Sequence, residues 1–111
     1  MTTEAELQKA VCAELQVQEG LGRLKFFAVP NARNSRRVVG FKKGAPDLTV
    51  LISHGPALLW ELKTKDGSAS MPQIEFLTWC NSHGHSHSII TSVDDAKREL
   101  RKHQIVPVNK G

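Results

Sequence analysis

Apolar residues recur at helical spacing near the start of the chain: Leu7, Val11 and Leu15 fall four apart, and Gly20 and Gly22 end the run. Thr3 and Glu6 frame its beginning as a capping box, with the threonine as N-cap and the glutamate reaching back to it. The period then changes. "RLKFFAV" is a short strand closed by Pro30, and "NARNSRRVVGFKKG" is a polar, basic loop. The runs "DLTVLI" and "ALLWELK" are separated only by the turn "SHGP", which predicts a hairpin. Ser70 and Gln73 make a second capping box, with Pro72 in the first turn, and open a helix through "IEFLTWCNSH". Beyond Gly84, "HSHSIIT" is extended, Ser92 with Asp95 caps a last helix to about Lys102, and "IVPV" could add a final extended piece. The order is α-β-β-β-α-β-α, an α/β chain without internal repeats or low-complexity linkers.

Composition narrows the class. At 111 residues and 12.3 kDa the chain is expected to be one domain over residues 1–111, with a real core and little room for a regulatory module. Hydrophobic residues at 40% and charged residues at 23% are globular values, and no apolar run approaches the roughly 20 residues that span a bilayer, so no membrane association is expected. The acidic, amphipathic N-terminus lacks the layout of a secretory signal, and Cys12 and Cys80 stand in no metal or redox spacing. A reducing cytosol fits, with both thiols acting as small hydrophobes. The net charge of +4 matters less than its distribution: Arg23 to Lys43 holds seven basic residues and no acid. Such a run is either a solvated face or a polyanion-binding element.

Two carboxylates stand out against the apolar strands. Asp47 opens one strand of the hairpin and Glu61 lies near the end of the other, followed two residues on by Lys63. Alternation along the strand turns Glu61 and Lys63 to one face and Trp60 and Leu62 to the other, and the hairpin brings Asp47 toward the same end. Separately, an aspartate after Pro46 reads as a strand-entry residue and a Glu-x-Lys as a surface ion pair. Together they form a spacing across a hairpin, where converging carboxylates stay ionised most simply around a divalent cation. Oxygen ligands with no His/Cys set point to Mg²⁺ or Mn²⁺, and a lysine on the same face could orient a metal-bound water or steady a phosphate oxygen. That combination is the chemistry of metal-assisted phosphodiester hydrolysis.

The elements "GAPDL", "ELK" and the S-x-x-Q opening of the following helix, behind a leading acidic helix, resemble the virus-type replication-repair nuclease (VRR-NUC) domain of the PD-(D/E)XK nuclease superfamily, from about Glu4 to Asp95. The resemblance implies a restriction-endonuclease-like mixed sheet flanked by helices and a Mg²⁺-dependent nuclease. Stand-alone phage and bacterial members are similar to dimeric resolvases of four-way DNA junctions, which implies branched DNA and a second copy of the chain as partners, in a bacterial cytosol or phage-infected host. Carried over by position, Asp47, Glu61 and the carbonyl of Leu62 would hold the metal, and Lys63 would act on the attacking water. Gln73 would sit beside the site, a role that competes with helix capping and is compatible with it. The family also implies a metal-side acid on the first helix. Glu6 has its capping task, whereas Glu4 lies one turn before Leu7 on the stripe facing the sheet, so Glu4 is chosen. If neither reached the metal, a one-metal mechanism would be favoured. Arg33, Arg36, Arg37, Lys42 and Lys43 become phosphate contacts.

The remaining candidates are weaker. His83, His85 and His87 alternate in "HGHSH" without an accompanying acid or cysteine, and read as pH-sensitive surface histidines rather than a zinc site. Trp60 and Trp79 sit in apolar runs and are expected in the core, and Asn31 and Asn34 are ordinary turn residues. Flap- or end-directed cleavage, an inert DNA-binding module and a scaffolding dimer remain as alternative functions.

Overall fold

The computed structural model describes residues 2–28 and 42–107. Arg33, Arg36, Arg37, Asn31 and Asn34 lie outside the described residues. The elements are α1 (Glu4–Gly20), β1 (Leu24–Ala28), β2 (Leu48–Ile52), β3 (Ala57–Leu62), α2 (Met71–Ser82), β4 (Ser86–Ile90) and α3 (Val93–Lys102), in the order expected from the sequence. They build a four-stranded mixed sheet in the spatial order β1-β2-β3-β4, antiparallel between β1, β2 and β3 and parallel between β3 and β4. A parallel pair cannot be joined by a tight turn, and α2 supplies the crossover.

The two faces of the sheet are covered differently. Leu48, Val50, Leu58, Trp60, Leu62 and Ile90 project to one face and pack with Leu7, Val11 and Leu15 of α1 and Ala96 and Leu100 of α3, all of them buried. Residues of opposite parity, Glu61 and His87 among them, project to the other face, where Gln73 and Phe76 of α2 meet them. Phe27 and Leu51 remain exposed on β1 and β2. Among the described residues no helix is long and apolar enough to cross a membrane.

The tail departs from expectation. Residues 105–107 form no strand: Ile105 tucks into the core after Gln104 takes a left-handed conformation at φ 69°, and the Val106 carbonyl accepts from Gln18 Nε2 at 3.2 Å and Arg23 Nη1 at 3.1 Å. Side chains have taken the acceptor that a strand neighbour would need, and Pro107 has no N–H to donate. His87 also departs from its expected surface position. It is buried edge-on against Phe76, with ring centroids 5.9 Å apart, and neither ring nitrogen has a hydrogen-bond partner.

Burial pushes the His87 imidazole below its ordinary value of 6.5, favouring the neutral form in the folded protein. A depressed folded-state value means that stability is intact above the unfolded pKa and is lost as pH falls from about 6.5 toward the folded one. His87→Leu is expected to flatten this acid limb of the stability curve, measured by urea denaturation between pH 7 and pH 5 (roughly bracketing the unfolded histidine pKa). An unchanged limb would place the acid sensitivity elsewhere.

Candidate active site

The hairpin register that pairs Leu48 with Trp60 carries Asp47 opposite Glu61. Asp47 is anchored there by the backbone: its Oδ2 accepts the N–H of Leu62 at 2.8 Å, while the N–H of Lys63 goes on to the Ile90 carbonyl at 3.0 Å. Strand β3 thus ends between two partners, with Leu62 buried on the core side and Glu61 and Lys63 turned to the other.

Glu61 is only 2% exposed, too deep for a surface ion pair. One oxygen, Oε1, accepts from Gln73 Nε2 and lies 3.8 Å from Lys63 Nζ; the other, Oε2, is buried with no partner. Burial, reinforced by the Asp47 carboxylate, pushes its pKa up to about 8 against the opposing pull of Lys63, with the charge of Glu4 adding to the rise. A glutamate kept this deep beside a second carboxylate is electrostatically unfavourable in its ionised form.

Lys63 bridges α1 and β3, standing 3.6 Å from Glu4 Oε1 as well as 3.8 Å from Glu61. Glu6 does not join it: its carboxylate accepts the Thr3 N–H at 3.1 Å, and Thr3 Oγ1 accepts the Glu6 N–H at 3.1 Å. Gln73 closes the helix cap and also reaches Glu61. Its Oε1 accepts the Ser70 N–H at 2.8 Å, closing the capping box, and this orients the amide so that Nε2 donates to Glu61.

A solved structure described as "VRR_NUC domain protein" matches the fold of this chain with a TM-score of 0.69 and 21% sequence identity, covering 98% of this chain and 94% of that one. The fold is that of a VRR_NUC domain protein. No family model matches the sequence, and the search of curated proteins gave no match.

On this VRR_NUC fold, Gly44 has a role that the sequence pattern did not explain. It sits at φ 88°, and a Cβ there would run into the Pro72 carbonyl and the Gln73 amide nitrogen. The glycine lets the segment leading to Asp47 lie directly against the first turn of α2, which brings Asp47 and Gln73 to the same end of the sheet. The "GxPD" spacing contained this signal, but the identity of the neighbouring backbone did not follow from it.

Glu4 meets Lys63 rather than joining Asp47 and Glu61 in one three-acid group, and among the described residues no group of three or more His, Cys, Asp or Glu side chains is arranged to hold a metal. Lys42 and Lys43 line a cavity beside α2 together with Pro72, Glu75, Phe76 and Trp79. His83 and His85 are exposed, in contrast to His87. Trp60 is buried as expected, but Trp79 is not in the core: α2 turns Gln73, Phe76, Leu77 and Cys80 inward, and position 79 falls outside that stripe. Cys80 is buried and Cys12 partly so, both free, and burial pushes both thiols above their ordinary range.

Proposed function

We propose that this chain is a Mg²⁺- or Mn²⁺-dependent, structure-selective DNA endonuclease, acting in the cytosol as a homodimeric resolvase of four-way (Holliday) junctions and leaving 5′-phosphate and 3′-hydroxyl ends. The observation that carries the reading is the buried Glu61 carboxylate facing Asp47 across the hairpin, with one oxygen unpartnered and Lys63 and Gln73 both on the other. That donor set fits a hard divalent cation, which would relieve the carboxylate repulsion and occupy the unpartnered oxygen. Asp47, Glu61 and the Leu62 carbonyl would hold it. When bound, the ion supplies Lewis-acid charge at the phosphate and a water of lowered pKa.

The chain's own residues supply positioning. The Leu62 N–H fixes Asp47, and Gln73, pinned by the Ser70 cap, fixes Glu61. Lys63, steadied by Glu4, is free to hold the attacking water or a phosphate oxygen with its remaining hydrogens. The lysine is partly buried between Glu4 and Glu61, which limits the entropy lost in aiming it. The resolvase reading, with its dimer, rests on the resemblance of the "GAPDL", "ELK" and S-x-x-Q elements to stand-alone nucleases of this type.

Cleavage of labelled four-way junction, 5′-flap, single-stranded and linear duplex DNA with Mn²⁺ or Mg²⁺ tests the proposal. Paired symmetric cuts on the junction are expected, because resolution needs two active sites related by a dimer axis. Cutting of flaps or ends would retain the nuclease and discard the resolvase. DNA binding without cutting would make the chain an inert binding module.

The basic segment gives an independent prediction. Replacing Arg33, Arg36 and Arg37 together by Ala is expected to weaken DNA binding and to reduce the slope of log affinity against log salt by about 0.9 for each duplex phosphate that is no longer neutralised. An unchanged slope in fluorescence anisotropy titrations would return the arginines to a solvated face.

A further inference from the structure

Trp79 is the bulkiest residue of α2 and is 57% exposed. His83, one turn on, stacks against it with ring centroids 4.1 Å apart and planes 14° from parallel, and the histidine is held by a 2.8 Å hydrogen bond between its Nδ1 and the Trp79 carbonyl. His85 lies nearly parallel as well, at 6.0 Å and 15°. The indole is therefore one of a group of nearly parallel flat rings. Its remaining surface lines a cavity of about 630 Å³ shared with Phe76, Pro72, Glu75, Lys42 and Lys43.

An aromatic wall beside two lysines, with one glutamate among the described lining residues, suits a flat ring carried on a negatively charged tether. The volume is that of a small-ligand site. Position along the helix ties the cavity to the carboxylates: Trp79 follows Gln73 by six residues, about 9 Å along the axis, or roughly two to three base steps of about 3.4 Å. We propose that Trp79, Phe76, Lys42 and Lys43 form a subsite for one unpaired nucleotide of the DNA, its base stacked on the indole and its phosphate between the two ammonium groups. The inference rests on the nuclease reading for its substrate class and adds that the substrate carries an unstacked base near the cut.

Tryptophan fluorescence tests the subsite directly, because the chain has two tryptophans and Trp60 is buried. The full chain is titrated in EDTA, which prevents cleavage, with a short oligothymidylate, a blunt duplex of the same length, and dTMP. Saturable quenching by the oligothymidylate is expected, with much weaker binding of dTMP. Trp79→Leu is expected to lower single-strand affinity roughly 5- to 100-fold in anisotropy titrations and to leave duplex affinity unchanged, while Trp79→Phe, which keeps a stacking face, recovers most of the loss. The Lys42→Ala, Lys43→Ala double variant should flatten the single-strand salt slope by about 0.7 for each phosphate that is no longer neutralised. Absence of quenching, equal losses on both DNAs, or dTMP binding as tight as the oligonucleotide would each overturn the subsite. If Trp79→Leu fails to fold, quenching of the unaltered chain and the lysine variant still decide. Quenching without metal-dependent cleavage of any DNA would sink the nuclease reading and keep the subsite, and cleavage without quenching would do the reverse.

Discussion

Asp47→Asn is expected to reduce junction cleavage on the order of a thousandfold or more while leaving DNA affinity within a small factor. The substitution is chosen to separate charge from structure. Asp47 accepts the Leu62 N–H at 2.8 Å, and the asparagine carbonyl oxygen can accept the same bond, so the end of β3 keeps its partner. Asp47→Ala would instead strand that N–H, which costs about 1–3 kcal/mol of stability and would blur the reading. Removing the charge also relieves the repulsion that helps to raise the Glu61 pKa, so the asparagine variant should melt no lower than the parent in metal-free buffer. Single-turnover cleavage of a labelled four-way junction in Mn²⁺, beside a gel-shift titration, checks both halves. Retained cutting would remove Asp47 from the chemistry, and lost binding would show that the aspartate organises the DNA surface.

The second large effect concerns Glu61 and the proposed divalent cation together. The group's pKa is raised from 4.5 to about 8 in the folded chain, chiefly by burial and then by Asp47. A raised value means that its stabilising contribution is complete below pH 4.5 and is lost as pH climbs through about 8, where the folded state must ionise a buried carboxyl. Metal-free protein should therefore lose stability steadily across that window, in the opposite sense to the acid limb set by His87. A divalent cation binds the ionised form, so adding Mn²⁺ at the alkaline end should restore the loss by about 2.7 kcal/mol at a hundred times its dissociation constant, a rise of several degrees in Tm, and should do much less near pH 5 (roughly the lower edge of the titration). Glu61→Gln keeps an acceptor for Gln73 and removes the charge. It should abolish both the alkaline slope and the Mn²⁺ shift, as read by thermal unfolding with and without EDTA. A persistent Mn²⁺ shift in the glutamine variant would locate the cation elsewhere, and a flat alkaline limb in the parent would mean that Glu61 ionises without cost.

These expectations depend on features that differ in how far they could be read from residue order. Every helix and strand among the described residues was legible, because each is announced by local chemistry: capping boxes at Thr3 and Ser70, a cap at Ser92, period-two runs on either side of a short turn, and glycines after the first two helices. Local chemistry also fixed the hairpin, and with it the approach of Asp47 to Glu61, since a short turn leaves little choice of register. The 3.6-residue period and the prior claim of the cap on Glu6 suffice to single out Glu4, which the structure sets beside Lys63.

What stayed hidden was decided by contacts between distant segments. Helix α2 is apolar nearly all round, with Met71, Ile74, Phe76, Leu77, Trp79 and Cys80, so periodicity could not say which stripe would meet the sheet, and Trp79 reads as core until the crossover fixes the rotation of the helix. His87 was unreadable for the complementary reason: its burial comes from Phe76 lying over it, a property of the helix above and not of its own strand. The final residues were misread because their backbone acceptor is claimed by Gln18 and Arg23, far away in the chain. The sequence by itself determined the elements, the hairpin and the pairing of two carboxylates, since these follow from propensity and short-range geometry. Only the tertiary structure decided how deeply Glu61 is buried, that one amide serves both cap and carboxylate, and which aromatic faces the solvent, because burial is set by which helix covers which half of the sheet.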